Sequence, residues 1–182
     1  RGLHLDGLAD WADSIGGGLG RERRLAIMKD VSLGTFGGLA LILAAVFKWI
    51  CMERLLITQN TLWLAVILPI SRDMMVELAS SLPYARAEGG MGSPFVKAGR
   101  TRHRLLSHGL TAAICALLLP ASLLLFALCW LGTRVLGMRF RRQFGGITGD
   151  LLGTAGILVE GASLILVALL GSCLPSSNLF PF

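Results

Sequence analysis

The chain has 182 residues, 54% of them hydrophobic, and its 17 Lys and Arg against 11 Asp and Glu give a net charge of +6. With a mean hydropathy of +0.69, it is too apolar to clothe a soluble domain in charge, so a single lipid-embedded domain over residues 1–182 is expected. The basic residues sit between apolar stretches, where membrane topology accounts for them without nucleic acid.

The chain begins at Arg1, inside what reads as a working motif, and is expected to be an N-terminally truncated fragment. Residues 1–32 form a surface segment in two parts. In the first, Gly2-Leu3-His4-Leu5-Asp6-Gly7-Leu8-Ala9-Asp10-Trp11-Ala12-Asp13, the aspartates fall at i, i+4 and i+7, one face of a 3.6-residue helix. Three carboxylates on one stripe repel each other, and a solvated acidic face is the simplest reading. In a mostly apolar segment of a protein with few acids, a divalent cation is the stronger one. Mg²⁺ suits it, because it takes carboxylate oxygens, keeps water and completes its octahedron with substrate phosphates. Zinc would want more than His4. The glycine-rich turn Gly16-Gly17-Gly18-Leu19-Gly20 leads to Arg21-Glu22-Arg23-Arg24-Leu25-Ala26-Ile27-Met28-Lys29-Asp30, a basic helix-like stretch. Acids for a cation beside bases for phosphate are the polarity that phosphoryl-type transfer requires; the bases also serve as topology signals.

Residues 33–182 hold the spans. Leu33–Met52, Leu62–Leu82 and Leu151–Leu174 are each long enough to cross a bilayer, and a longer apolar stretch begins at Leu105. The bases of the N-terminal segment and of the 83–104 loop place both on the cytoplasmic side, while the tail after Gly171 has no base. Arg134, Arg139, Arg141 and Arg142 then demand two short passes through 105–142, with Pro120 marking the turn, or one long tilted span. Two passes make about five spans in an all-α, polytopic membrane bundle. Arg72 and Glu160 inside spans point to a polar interior or to local ion pairs. His103 and His108 are read as interfacial, and Cys51, Cys115, Cys129 and Cys173, with no CxxC spacing, as small buried hydrophobes. Asp150 after Gly145-Gly146-Ile147-Thr148-Gly149 reads by itself as a helix N-cap.

Three separated blocks carry a family resemblance. His4-Leu5-Asp6-Gly7-Leu8-Ala9-Asp10 with Ile27-Met28-Lys29-Asp30 and Leu33-Gly34-Thr35-Phe36-Gly37, then Ser71-Arg72 with the loop Pro83-Tyr84-Ala85-Arg86-Ala87-Glu88-Gly89-Gly90-Met91-Gly92, then Gly145–Gly153, resemble in order the signature of cobalamin synthases, the adenosylcobinamide-GDP ribazoletransferases. The chain departs from that pattern at Ser14-Ile15, where Gly is usual after the third aspartate, and at Val31-Ser32, where Ser-Arg is common.

The resemblance implies a multi-pass, Mg²⁺-dependent transferase of the bacterial inner membrane, with its motif loops facing the cytoplasm. It would join adenosylcobinamide-GDP to α-ribazole or its 5′-phosphate and release GMP, in cobalamin biosynthesis. Homo-oligomerisation is left open. Asp6, Asp10 and Asp13 are then expected to hold Mg²⁺. One of them or Asp150 takes the attacking hydroxyl's proton, and Arg24, Lys29, Arg72 and Arg86 contact phosphate. A CDP-alcohol phosphotransferase would perform comparable chemistry, but Asp10 stands after Ala9 where that family places Arg. A transporter would explain Arg72 and Glu160 but not the aspartate cluster.

Overall fold

The structure, a computed structural model, describes residues 2–16 and 20–170. The middle of the glycine-rich turn and the tail after Leu170, including Cys173, lie outside the described residues. The described residues form eight helices: α1 Leu3–Ile15, α2 Arg21–Ile27, α3 Thr35–Ile57, α4 Leu62–Ser81, α5 Ser93–Ala98, α6 Thr101–Leu118, α7 Ser122–Phe144 and α8 Gly149–Leu170. Among the described residues there is no strand.

Five helices have 18 to 23 residues, and α3, α7 and α8 are long and apolar enough to cross a membrane. The other two, α4 and α6, carry charged residues that pair inside the protein, as described below. The outer surface of α3 exposes Ile42, Val46, Phe47, Trp49 and Ile50 together. In water such a patch would be a liability; against lipid tails it meets a surface as apolar as itself.

The 105–142 stretch is two helices. The chain leaves α6 at Leu119, passes Pro120 and enters α7 at Ser122, whose amide bonds the Leu119 carbonyl at 2.8 Å. Proline supplies no amide to continue α6 and clashes with the carbonyl a turn before it. The ends differ from expectation for reasons of capping. Helix α3 runs five residues beyond Met52, because Arg54 stands in its last turn and Gln59, with φ of 53°, closes it. Helix α7 continues to Phe144 and stops at Gly145, whose φ of 78° is the left-handed cap glycine adopts without strain. Helix α6 begins at Thr101, inside the expected loop, because Arg104 and His108 find acidic partners on α4.

The core has two parts. Cys51, Leu55, Trp63, Val66, Ile67, Ile70 and Met74 meet Cys115, Leu125, Leu164 and Val167 in one. In the other, Met28 and Leu78 meet Phe140, Phe144, Ile147, Leu151 and Ala155. Helix α4 spans both parts, packing against α6, α7 and α8, and α1 lies across the beginning of α8.

Candidate active site

Small residues let α1 approach α8. A Cβ on Gly7 would fall 2.8 Å from the Asp150 Cα, and one on Gly153 would fall 2.9 Å from the His4 Cα. At that crossing the Thr154 hydroxyl lies 2.8 Å from both the Gly7 and the Asp150 carbonyl oxygens. The first and third sequence blocks are therefore pressed together by glycines, which no side chain could replace without separating the helices.

The second block is tied to the third by backbone. Ala85 N–H donates to the Ile147 carbonyl and Ile147 N–H to the Pro83 carbonyl, each at 2.9 Å. Arg21 reaches from α2 to the Ala85 carbonyl at 3.1 Å. Arg86 then extends between the blocks: its Nη2 is 3.0 Å from Asp150 Oδ2 and 3.2 Å from the Met28 carbonyl. The N-cap role expected for Asp150 belongs to its neighbour, since Thr148 Oγ1 accepts from Leu151 N–H at 3.2 Å. Relieved of that duty, the Asp150 carboxylate turns to Arg86.

Asp6, Asp10, Arg86 and Asp150 line one open groove of about 1540 Å³, which continues between α3 and α8. The carboxyl pKa of Asp10 is raised to about 6, first by burial, then by the negative charges of Asp6 and Asp150, with Arg86 opposing them and Asp13 adding a smaller push. Two further carboxylates are thus close enough to be felt by the third. On the same helix His4 has its pKa lowered, by burial and then by the Arg72 cation.

The aspartate stripe divides. Asp13 accepts Gly34 N–H at Oδ2 and Gly37 N–H at Oδ1, each at 2.8 Å, and so fills the orphan donors at the start of α3. Both glycines are needed, because a Cβ at either position would fall on the Asp13 carboxylate. Leu33–Gly37, read above only as part of a signature, is thus the socket for Asp13. Among the described residues no three His, Cys, Asp or Glu side chains close into a metal-holding group. Asp6, Asp10 and Asp150 present carboxylate oxygens to one open groove, the donor type that suits a hard divalent cation drawing its remaining ligands from water and substrate. Asp13 instead has each of its oxygens engaged by a backbone amide at the start of α3.

Of the cationic candidates, Arg86 is central. Lys29 lines the groove and pairs with Glu88. Arg72 Nη1 stands 3.3 Å from His4 Nδ1, and its Nη2 is 3.9 Å from Glu160. Arg24 lies on α2, outside the residues lining the groove. Glu160 takes the local ion-pair reading, with Lys48 Nζ at 2.6 Å. The two departures from the family pattern are locally satisfied: buried Ser14 donates to the Trp11 carbonyl at 2.7 Å, and Ser32 bonds Asp30 through its amide at 3.0 Å and its hydroxyl at 2.8 Å.

The sequence reading missed a second charged cluster. His108, expected at the interface, points into the bundle with Nδ1 2.7 Å from Asp73 Oδ2 and Nε2 3.1 Å from Glu77 Oε2. Arg134 Nη1 reaches the other Glu77 oxygen at 3.1 Å, and Arg104 Nε approaches at 3.6 Å. Asp73 and Glu77 are each only 1% exposed. Two acids at i, i+4 in a mostly apolar helix were the available signal.

Residues 1–168 match the family described as cobalamin-5-phosphate synthase. The chain is similar to the adenosylcobinamide-GDP ribazoletransferase of Syntrophobacter fumaroxidans, with 45% identity over 165 residues covering 88% of this chain and 65% of that protein. It is likewise similar to the proteins of that name from Chlorobaculum parvum and Chlorobaculum tepidum, at 42% and 41% identity, covering 93% of this chain and 68% of each. The chain thus spans about two thirds of the length of these relatives. No solved structure matches.

Proposed function

Because the chain belongs to the cobalamin-5-phosphate synthase family, we propose that it forms the core of an adenosylcobinamide-GDP ribazoletransferase. The enzyme joins adenosylcobinamide-GDP to α-ribazole or its 5′-phosphate, giving the adenosylcobalamin product and GMP. One observation carries the reading: Asp6, Asp10 and Asp150 meet Arg86 at the point where all three sequence blocks converge.

In the reaction a ribose hydroxyl oxygen forms a bond to the phosphorus attached to cobinamide. The bond from that phosphorus to the bridging oxygen breaks, and GMP leaves with the electron pair. Asp6 and Asp10 would hold Mg²⁺, with Asp150 beside them; bound there, Mg²⁺ supplies charge neutralisation on the diphosphate. Arg86 orients Asp150 and offsets charge on the phosphates, with Lys29 lining the same groove and Arg72 set back beside His4 on the other side of α1. Asp150 accepts the hydroxyl proton, held in place by Arg86 on one side and by the α1 crossing on the other.

The same reading puts this face of the bundle at the cytoplasmic side of a bacterial inner membrane. The basic segment of α2, the 83–104 loop and the arginine-rich end of α7 all gather at the end of the bundle where α8 begins, which supports that orientation. The test is GMP release by purified full-length protein given both substrates and Mg²⁺. Turnover that Asp10→Asn abolishes supports the proposal; release of CMP from a CDP-activated substrate in place of GMP overturns it.

A further inference from the structure

Helix α1 is a partition, and the reaction centre can be reached from both of its sides. The groove described above opens on one side. On the other lies a second cavity of about 630 Å³, bounded by α4, the 83–92 loop and α5. Among the described residues three line both, Asp6, Arg86 and Asp150, whereas Asp10 and Lys29 line the larger alone. The smaller volume falls within the range of small-molecule sites, roughly 300–1,000 Å³, and the larger exceeds it.

Displacement at phosphorus sets the attacking and leaving oxygens roughly in line, on opposite faces of the reacting atom. A centre open on two sides meets that requirement directly. If the diphosphate lies with Asp10 and Lys29 in the large groove, the attacking alcohol must arrive from the small cavity. The lining there suits a flat apolar base carrying a sugar. Phe95 is 72% exposed and Met91 80% exposed at its rim, an aromatic face and a polarisable thioether held on α5 and the loop before it. Tyr84 lines the same cavity, while Asp6 and Asp150 stand at its inner end.

We propose that this second cavity is the nucleoside subsite. The α-ribazole base packs on Phe95 and Met91, and its ribose hydroxyl is directed past α1 at the phosphorus held on the other side. The assignment rests on the transferase reading above, and the two can fail separately.

The experiment uses the full-length enzyme in lipid nanodiscs, with Phe95→Ala to remove the platform and Ala98→Trp to fill the cavity from an exposed position on α5. Equilibrium dialysis of α-ribazole and steady-state KM for each substrate are measured together. Each variant is expected to weaken α-ribazole binding and raise its KM about tenfold or more, the scale of losing one base–aromatic stack. The KM for adenosylcobinamide-GDP should stay within about twofold, which also reports an intact fold. Unchanged α-ribazole binding in both variants, or a rise confined to the other substrate's KM, overturns the assignment. Binding that both variants abolish in an enzyme releasing no GMP upholds the subsite while the transferase reading falls, and a wild-type enzyme that binds no α-ribazole overturns the subsite.

Discussion

Replacing Asp13 by Asn separates a metal ligand from a structural cap. In the structure each Asp13 oxygen accepts one backbone N–H at the start of α3, from Gly34 and Gly37, at 2.8 Å. A hydrogen bond to a charged acceptor contributes about 1.5–3 kcal/mol, and a carboxylate at a helix N-terminus adds roughly 0.3–1 kcal/mol. Asparagine keeps one acceptor oxygen but turns its NH₂ toward the other backbone donor. The expected loss is the charge interaction and one bond, about 2 kcal/mol after allowance for the solvent that reaches Gly34. Such a loss raises the opening equilibrium at the start of α3 roughly thirtyfold, readable as faster amide exchange over residues 34–38 and as earlier unfolding in a detergent titration. The half-saturating Mg²⁺ concentration for GMP release should be unchanged, whereas Asp10→Asn should leave α3 protected and abolish the Mg²⁺ response. Normal α3 protection in Asp13→Asn together with a Mg²⁺ requirement raised as in Asp10→Asn would refute this division of the stripe.

Three further perturbations test other parts of the site. Gly7→Ala places a methyl on the Asp150 backbone, so α1 must lift from α8, with an expected destabilisation of about 1–3 kcal/mol and a loss of turnover of at least about tenfold. Gly2→Ala, which meets nothing within 4 Å, should leave thermal unfolding and turnover unchanged. His108→Phe leaves the buried Asp73 and Glu77 carboxylates without their shared partner and should cost about 3–5 kcal/mol in detergent unfolding, with KM for both substrates little altered in the protein that remains folded. The raised pKa of Asp10, about 6 against 3.8 unperturbed, predicts two opposite pH effects. Without cation, folded Asp10 binds more protons than unfolded Asp10 between about pH 4 and 6, so its contribution to stability falls as pH rises through that window. Cation binding competes with that proton, so the Mg²⁺ concentration for half-maximal turnover should fall as pH rises from 5.5 to 7.5; a flat dependence counts against Asp10 as a ligand.

What could be read from the sequence follows from which forces are local. Helix positions came from runs of apolar residues, and the break at Pro120 from a residue with no amide to give. Once 105–142 makes two helices, Asp150 returns to the end of the bundle where Asp6 lies, so the Arg86–Asp150 pair was reachable by counting passes. The fate of Asp13 was not. Periodicity puts it on one face with Asp6 and Asp10, but its partners are amides 21 and 24 residues away. Nothing in a helical repeat distinguishes a carboxylate facing a groove from one facing a neighbouring helix's first turn. The glycines of Leu33–Gly37 were visible as a motif, and their cause appears only when the Asp13 carboxylate occupies the space their side chains would have taken.

Helix α4 shows why single residues in a span are a poor guide to function and their succession a better one. Consecutive helical positions point about 100° apart, and Ser71, Arg72 and Asp73 accordingly serve three different neighbours. Ser71 bonds the Gly156 carbonyl on α8 at 2.8 Å, Arg72 meets His4 on α1, and Asp73 meets His108 on α6. Read as Arg72-Asp73, the pair looks like a self-neutralising dipeptide. In the fold it is split, with the cation delivered to the α1 side, where it lines the second cavity beside the proposed reaction centre, and the anion to the opposite side, where His108 of α6 engages it. Had Asp73 faced the site, it would have cancelled the charge that Arg72 brings there. The second cluster therefore does more than hold three helices together: by engaging Asp73 through His108, and Glu77 through His108, Arg104 and Arg134, it keeps two buried carboxylates on the face of α4 turned away from the reaction centre.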